Sequence, residues 1–319
     1  DETFSDKLET EYVAGVDENN VEQVLEDIIK AGADIIFCVG PQMMPNSLKV
    51  AVEHPEVYIL NCSLNAPHPY IRTYYGRMYE AKFLAGMIAG AVTDNERVAY
   101  IADYPIYGMI ANINAFALGV ASVNPRAKVY LAWSKTKDYD RNKFLTENDL
   151  HYVSDQDIIT PNDASRYFGL YKLQDGQALN LAMPIWNWGV FYEKLLQSVL
   201  AGSYKAEGQE QVKALNYWWG MSAGVIDLIC SKHVPYGVKR LADHLKSDIT
   251  KGEVVPFFGQ IYDQKGELKN KGEHEMKPSD IMKMDWLVDN VVGSIPPMSE
   301  FVDNAKMVVE LKGVEENKL

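Results

Sequence analysis

The stretch VAYIADYPIYGMIANINAFALGVASVNPRAKVYLAWS, residues 98–134, decides the fold class of this chain. It begins and ends with short apolar runs rich in valine, isoleucine and aromatic residues, at 98–104 and 128–134, which predict buried strands. Between them, the apolar positions of residues 108–122 follow helical spacing. A strand, a helix and a second strand in this order indicate an α/β protein with a parallel sheet.

The same alternation precedes this stretch. Residues 33–40 and 56–63 are short apolar runs that predict two further parallel strands, and residues 20–31 and 45–53 are helical in pattern. Strands that alternate with helices predict a sheet with helices on its faces.

A long helix is predicted at residues 76–93. It contains a run of small residues that allows another element to approach closely: Ala85, Gly86, Ala89, Gly90 and Ala91. We therefore expect a neighbouring element to pack tightly against this helix.

Further predicted elements extend the second half of this pattern: a helix at 141–150, a strand at 157–160 and an amphipathic helix at 188–201. We interpret the chain as two flavodoxin-like parallel-sheet lobes joined by a hinge, with crossings near 94–97 and 205–217. Open parallel sheets bind ligands at the carboxyl ends of their strands, so the cleft between the lobes is the expected ligand site.

The predicted domain boundaries follow from these crossings. Lobe one is expected to consist of residues 1–96 and 214–319, and lobe two of residues 97–213. A chain of 319 residues with 47% hydrophobic content is long enough for two such lobes.

Composition narrows the class of partner. A net charge of −13 argues against nucleic acid and against an anionic membrane surface as partners, since both need a positively charged binding surface.

The six histidines are scattered without metal-ligand spacing, so we expect no metal site and no cofactor. Cys38 and Cys62 lie in apolar runs and, with Cys230, make an odd count that favours packing over disulfides. No run approaches the ~18 apolar residues of a membrane span, and we expect no direct insertion.

Aromatic, amide and carboxylate residues dominate the predicted junctions after each strand. Such residues suit a flat polar ligand, because rings stack on its faces while amides and carboxylates read its donor and acceptor edges. The candidate binding residues are Tyr75, Glu80, Tyr107, Asn114, Asn162, Trp186, Asn187 and Trp188.

Structural roles remain open for several of these candidates. Trp186 and Trp188 alternate along an extended segment, so one of them is expected to pack inward. Asn187 can cap the helix that follows, and Asn162 can cap a helix starting near residue 164. Glu80 lies in the first turn of its helix, where a carboxylate favours the helix dipole in any case.

Catalytic patterns are lacking in the sequence. No glycine-rich phosphate loop, GxGxxG or GxSxG occurs, and no pair of acid and base residues is positioned for proton transfer. We therefore expect a protein that is not an enzyme.

Three segments carry a resemblance to a known family: EAKFLAGMIAGAVT (80–93), residues 98–129, and DIITPNDAS (157–165). With them the chain resembles the basic membrane protein (BMP) family, the substrate-binding lipoproteins of ABC importers, which include purine-nucleoside-binding members. The resemblance implies a type I periplasmic-binding-protein fold.

The resemblance also implies roles for particular residues. Asn114 stands where relatives often have aspartate, and Asn162 falls in the loop after a strand. Residues 186–188 stand where relatives carry a Ser-x-x-Lys segment, whose lysine this chain lacks. The opening strand of the family has no counterpart here, so the first strand of lobe one is expected to be missing, and residues 7–16 are interpreted as the second strand.

The function implied is that of a substrate-binding protein of an ABC importer. It would bind a small planar polar ligand, a nucleoside or nucleobase, by hinge closure and deliver it to a transporter permease. The resemblance implies an extracytoplasmic, membrane-anchored lipoprotein. The alternative is a ligand-sensing domain of a cytoplasmic regulator with the same fold, because this fold serves both purposes.

Overall fold

The computed structural model describes residues 4, 6–64, 68, 70–157, 166–202 and 216–313. Its helices are α1 (Val21–Lys30), α2 (Met44–Glu53), α3 (Met78–Val92), α4 (Met109–Val123), α5 (Arg141–Glu147), α6 (Trp188–Leu200), α7 (Tyr236–Lys251), α8 (Pro278–Met282) and α9 (Asp303–Lys312). Its strands are β1 (Ile35–Cys38), β2 (Tyr58–Cys62), β3 (Arg72–Gly76), β4 (Arg97–Ala102), β5 (Lys128–Trp133), β6 (Tyr152–Ser154), β7 (Leu170–Gln174), β8 (Gln177–Trp186), β9 (Asn216–Trp219), β10 (Ile226–Cys230), β11 (Gln260–Tyr262), β12 (Leu268–Lys271) and β13 (Val291–Val292).

The chain divides into two compact units. The first consists of Asp1–Tyr75 with Trp188–Trp218, and the second of Gly76–Asn187 with Trp219–Leu319. The lobe boundaries that we derived from the sequence, at 96/97 and 213/214, differ from this division and stay a prediction.

The first unit is built on a four-stranded sheet in the order β1-β2-β3-β9. Strands β1, β2 and β3 are parallel, with Ile35 opposite Tyr58 and Leu60 opposite Arg72. Helices α1 and α2 contribute to its core, in which Val21 and Val50 are almost completely buried. The strands predicted at 33–40 and 56–63 and the helices predicted beside them are thereby confirmed.

The strand predicted at residues 7–16 was wrong. The structure assigns no strand to this segment, and Tyr12 is 87% exposed. An extended segment becomes a strand where a neighbour pairs with its backbone N–H and C=O groups, and no described strand pairs with residues 7–16. β-Branched and aromatic residues favour strands where one face of the strand is buried, and this segment has no such buried face.

The second unit is built on a seven-stranded sheet in the order β10-β8-β7-β6-β4-β5-β13. Strand β4 lies between β5 and β6 and is parallel to both, while β7 is antiparallel to β6. The strand–helix–strand prediction for residues 98–134 is confirmed by β4, α4 and β5. The α/β fold class with parallel sheets is therefore correct.

Two predicted elements in this unit have a different outcome. The predicted strand at 157–160 lies outside the described residues apart from position 157, and the described strand in this region is the three-residue β6. A run as short as Tyr152–Ser154 gives no clear period-2 pattern, which is why the sequence did not predict it. The predicted crossing at 205–217 also falls almost wholly outside the described residues.

Helices α3 and α4 touch through glycines. A Cβ added to Gly86 would overlap the backbone carbonyl of Phe116, and a Cβ added to Gly119 would overlap the carbonyl of Phe83. The expectation that small residues of the 76–93 helix allow close packing is confirmed. The contact fixes the position of α3, which also carries Glu80 and Lys82.

None of the helices in the described part of the chain combines the length and the apolar composition needed to cross a membrane.

Candidate functional site

Polar and charged side chains gather at one edge of the sheet in the second unit. Strands β4, β5 and β6 are parallel, so their carboxyl ends lie at the same edge. This is where open α/β sheets bind their ligands. We call the group found there the strand-end cluster; it consists of Lys82, Asp103, Ser134, Arg141, Ser154, Asp155 and Asp157.

The first part of the strand-end cluster is a buried ion pair. Lys82 reaches from α3, with its side chain only 1% exposed, and its Nζ lies 2.6 Å from Oδ1 of Asp157. The same Nζ lies 3.2 Å from the hydroxyl of Ser154 and 5.0 Å from the ring centre of Tyr100. A buried ammonium group needs such partners, because desolvation is costly for an unpaired charge.

The second part is an arginine–carboxylate pair. Arg141, in the first turn of α5, donates to Oδ2 of Asp155 at 2.6 Å and also to the hydroxyl of Tyr171. The Tyr171 hydroxyl donates to the same carboxylate oxygen at 3.1 Å. Asp140 caps α5 by accepting from the backbone nitrogen of Lys143. The start of α5 and the exit of β6 are therefore joined by charged hydrogen bonds.

The third part is Asp103, which directly follows β4. Its carboxylate accepts a hydrogen bond from the hydroxyl of Ser134, the residue directly after β5. Asp103 is half-buried, and it forms no ion pair among the described residues. It is thus a carboxylate with neither an arginine nor a lysine to neutralise it in the described part of the chain.

The carboxylates of the cluster lie close enough to affect one another. Burial raises the pKa of Asp157, Lys82 lowers it, and the negative charges of Asp155 and Asp103 raise it further. Burial also raises the pKa of Tyr100, with contributions from Asp157 and Asp103. Three carboxylates and two cations therefore share one small region.

The chemistry available there is that of hydrogen-bond acceptance. The cluster has more carboxylates than cations, so it favours a ligand that offers N–H or O–H donors and disfavours an anion. Among the described residues, no group of three or more histidine, cysteine, aspartate and glutamate side chains has the arrangement of a metal site.

Two candidates from the sequence, Glu80 and Asn187, hold one turn in place. Oε2 of Glu80 accepts from the backbone nitrogen of Met221 at 2.6 Å, and Nδ2 of Asn187 donates to the carbonyl of Gly224 at 3.1 Å. The backbone nitrogen of Asn187 also donates to the carbonyl of Val225. Both side chains therefore serve the 220–225 turn, and a ligand contact by either stays a prediction.

The two tryptophans have different surroundings. Trp188, at the start of α6, belongs to an aromatic group of the first unit, with ring centres 5.7 Å from Tyr74 and 6.5 Å from Tyr75. Trp186 ends β8 in the second unit, where its ring lies beside Gly76. Nε1 of Trp186 is buried without a hydrogen-bond partner among the described residues.

Asn114 is fully buried in α4, and its amide is used within the protein. Nδ2 donates to the carbonyl of Trp286 at 2.8 Å, and Oδ1 accepts from the backbone nitrogen of Val288 at 3.0 Å. Tyr107 is half-buried in the turn before α4, and Asn162 lies outside the described residues. The ligand contacts expected for these three residues stay predictions.

None of the residues of the strand-end cluster is among the candidates named from the sequence, although signals for them existed. Lys82 is a lone lysine in an otherwise apolar helical run, which indicates a buried charge with a partner. The strand ending in Ile101-Ala102 was extended to residue 104, so Asp103 was counted inside it rather than at its end. Asp157 was assigned to a strand.

Comparison with known proteins places this geometry in context. The Bmp family model, described as ABC transporter substrate-binding protein PnrA-like, matches residues 2–167. A protein of Brucella abortus named purine-binding protein is 27% identical over 92% of this chain and 86% of its own length. A Haloferax volcanii protein named putative ABC transporter glucose-binding protein is 31% identical over 69% of this chain and 58% of its own length.

Solved structures share the fold. An ABC transporter solute-binding protein of Conexibacter woesei superposes with a TM-score of 0.54 at 17% identity, covering 79% of this chain and 88% of its own. A transcriptional activator of the comK gene from Bacillus halodurans gives a TM-score of 0.58 at 14% identity, covering 76% of this chain and 87% of its own.

Proposed function

Since this chain belongs to the Bmp family of PnrA-like ABC transporter substrate-binding proteins, whose members bind solutes and are not enzymes, we propose that its ligand is a purine nucleoside or nucleobase. The protein delivers this ligand to the permease of an importer. It works outside the cytoplasm as a membrane-anchored lipoprotein, and it closes on its ligand by a hinge motion.

The observation that carries this proposal is the strand-end cluster. Asp103 and Asp157 lie at the carboxyl edge of β4 and β6, and each has acceptor oxygens beyond those used by Ser134 and Lys82. Purine bases offer ring and exocyclic N–H donors, and ribose offers hydroxyl donors, so this ligand class matches the cluster. The relative named purine-binding protein, which this chain matches over 92% of its length, points to the same class.

A sugar is the second candidate ligand. The Haloferax volcanii relative carries the name of a glucose-binding protein, and it is slightly more identical, at 31%, over a shorter part of this chain. Sugar hydroxyls are also donors to carboxylates. The relative with the wider coverage, however, is the purine-binding one.

Calorimetric titration separates these candidates. The wild-type protein is titrated with adenosine, inosine, guanosine, adenine and glucose, and we expect one of the purines to bind with a dissociation constant on the order of micromolar or below. Recovery of intact inosine by chromatography after incubation separates binding from turnover. Binding of glucose alone, or of none of these compounds, would contradict the purine assignment.

A matched pair of variants then tests the site. Asp103→Asn removes the charge of the unpaired carboxylate, and we expect it to weaken purine binding at least about tenfold. Asp138→Asn removes an exposed carboxylate in the loop after β5 and should leave the affinity unchanged. Equal affinity in both variants would remove Asp103 from the binding site.

A further inference from the structure

Lys82 is unusual among the lysines of the described chain because its side chain is buried within a helix that is otherwise almost wholly apolar. Burial of an ammonium group brings no stability by itself, and replacement of a buried ion pair by apolar residues is often neutral or stabilising. The position of Lys82 at the ligand edge of the sheet suggests a different use for its charge.

The geometry around Asp157 shows what that use is. Oδ1 of Asp157 is bound by Lys82 at 2.6 Å, and no hydrogen-bond donor of the described residues is bound to Oδ2. The Asp157 side chain is 14% exposed, whereas that of Lys82 is 1% exposed. The lysine side chain is therefore the more deeply buried partner of this pair.

We propose that Lys82 is a positioning residue that keeps Asp157 ionised and oriented, so that Oδ2 of Asp157 accepts an N–H or O–H donor of the ligand. This inference rests on the proposed function for its ligand, but the pairing that it assigns is a property of the protein alone. Ser154 fixes the ammonium group at 3.2 Å from its hydroxyl and so fixes the direction from which Lys82 meets the carboxylate.

The surroundings of Asp157 explain why it needs a counter-cation. The charged and titratable groups that face it are Lys82 from α3, Tyr100 from β4, Asp103 after β4 and Asp155 after β6. Asp155 and Asp103 are negative, and the burial of Asp157 also favours its neutral form. Of these groups, Lys82 alone favours ionisation of Asp157. Without it, every remaining effect favours the protonated carboxyl group, which is a weaker acceptor.

Four single variants, Lys82→Met, Lys82→Arg, Asp157→Asn and Lys172→Met, and the double variant of Lys82→Met with Asp157→Asn test this inference. Lys172 is the matched control, because it also forms an ion pair on this sheet, with Asp94 at 3.7 Å, but its side chain is 32% exposed. Affinity for inosine is measured by calorimetry between about pH 5 and pH 8, with glucose in a parallel titration. Thermal melting of each variant reports whether it is folded.

The expected pattern is specific to a positioning role. In Lys82→Met the affinity is lost at a higher pH than in wild type, because the remaining groups around Asp157 and its burial all favour the protonated form. Lys82→Arg keeps the wild-type pH profile, and so does Lys172→Met. Asp157→Asn binds weakly without pH dependence in this range, and adding Lys82→Met to it causes little further loss.

A titration of the protein without ligand tests the inference about Lys82 separately from the proposed function. The carboxyl signal of Asp157 in ¹³C-aspartate-labelled protein, assigned by its loss in Asp157→Asn, should titrate at a higher pH in Lys82→Met than in wild type. An unchanged midpoint, or a melting temperature that falls with no change in the pH profile of binding, would overturn the inference. If none of adenosine, inosine, guanosine and adenine binds the wild type, the proposed function fails, while this midpoint still decides whether Lys82 controls Asp157.

Discussion

Oε2 of Glu80 lies 2.6 Å from the backbone nitrogen of Met221, although 141 positions of sequence separate the two residues. The bond joins the first turn of α3 to the turn that follows β9. The carboxylate is buried, and Gly220 leaves room for it, since a Cβ at that position would overlap the Glu80 carboxylate. A residue that the sequence suggested as a ligand contact is thus engaged in holding a turn.

Replacing Glu80 by alanine should lower the free energy of unfolding by about 2–4 kcal/mol, because the buried N–H of Met221 loses its acceptor and a cavity remains. Glu80→Gln keeps an acceptor oxygen and should cost less. Urea denaturation of both variants measures the difference. Alanine and glutamine variants of equal stability would show that the hydrogen bond contributes little.

Glu80 should also make the stability of the protein depend on pH. Burial raises the pKa of this carboxyl group above its usual 4.5, so the folded state holds the proton more tightly than the unfolded state. The stability that this proton contributes is present below the unfolded pKa and is lost as the pH rises through the folded pKa. Wild type should therefore gain stability relative to Glu80→Gln as the pH falls through the folded pKa towards 4.5. A difference in stability that stays constant on acidification to pH 4.5 would contradict the raised pKa.

The α3–α4 contact makes a second stability prediction. Gly86→Ala would force a methyl group into the backbone carbonyl of Phe116, and we expect a loss of about 3 kcal/mol or a failure to fold. Gly237→Ala is the matched control, because Gly237 lies in α7 with no atom within 4 Å of the added Cβ. That change should leave stability unchanged or raise it by about 0.5–1 kcal/mol, as expected in a helix. Thermal melting compares the two.

Asn114 should behave as a structural residue. Asn114→Leu is close in size but leaves the carbonyl of Trp286 and the N–H of Val288 without their partner, which should cost about 2–4 kcal/mol. The affinity of the folded fraction for ligand should change less than about twofold, since the amide is turned to these backbone groups. A large loss of affinity at unchanged stability would favour the ligand contact that the family resemblance implies.

Much of the fold could be predicted from local sequence patterns. The strand–helix–strand order of residues 98–134 could be predicted because its strands are long, apolar and separated by a helix of clear period. Residues 7–16 have similar β-forming residues but lack a partner strand, and pairing is a long-range property that local sequence does not contain. The three-residue β6 was not predicted because pairing with β4 and β7, rather than its own composition, makes it a strand.

The candidate site was harder to predict from the sequence than the fold was, for a physical reason. The rule that ligands bind after parallel strands pointed to the edge where the strand-end cluster lies, but it needs strand ends that are correct to one residue. Asp103 was lost by such an error, and Asp157 was assigned to a strand. Lys82 comes from a helix rather than from a strand end, so only the packing of α3 on the sheet brings it to Asp157.

The glycine contact between α3 and α4 also bears on how this protein could be engineered as a fluorescent sensor. Gly86 and Gly119 set the distance between α3 and α4, and α3 carries Lys82. A mutagenesis library that varies either glycine would therefore also displace Lys82. A library restricted to Asp103 and Ser134 leaves both glycines unchanged, and under the proposed function it would sample ligand selectivity on an intact scaffold.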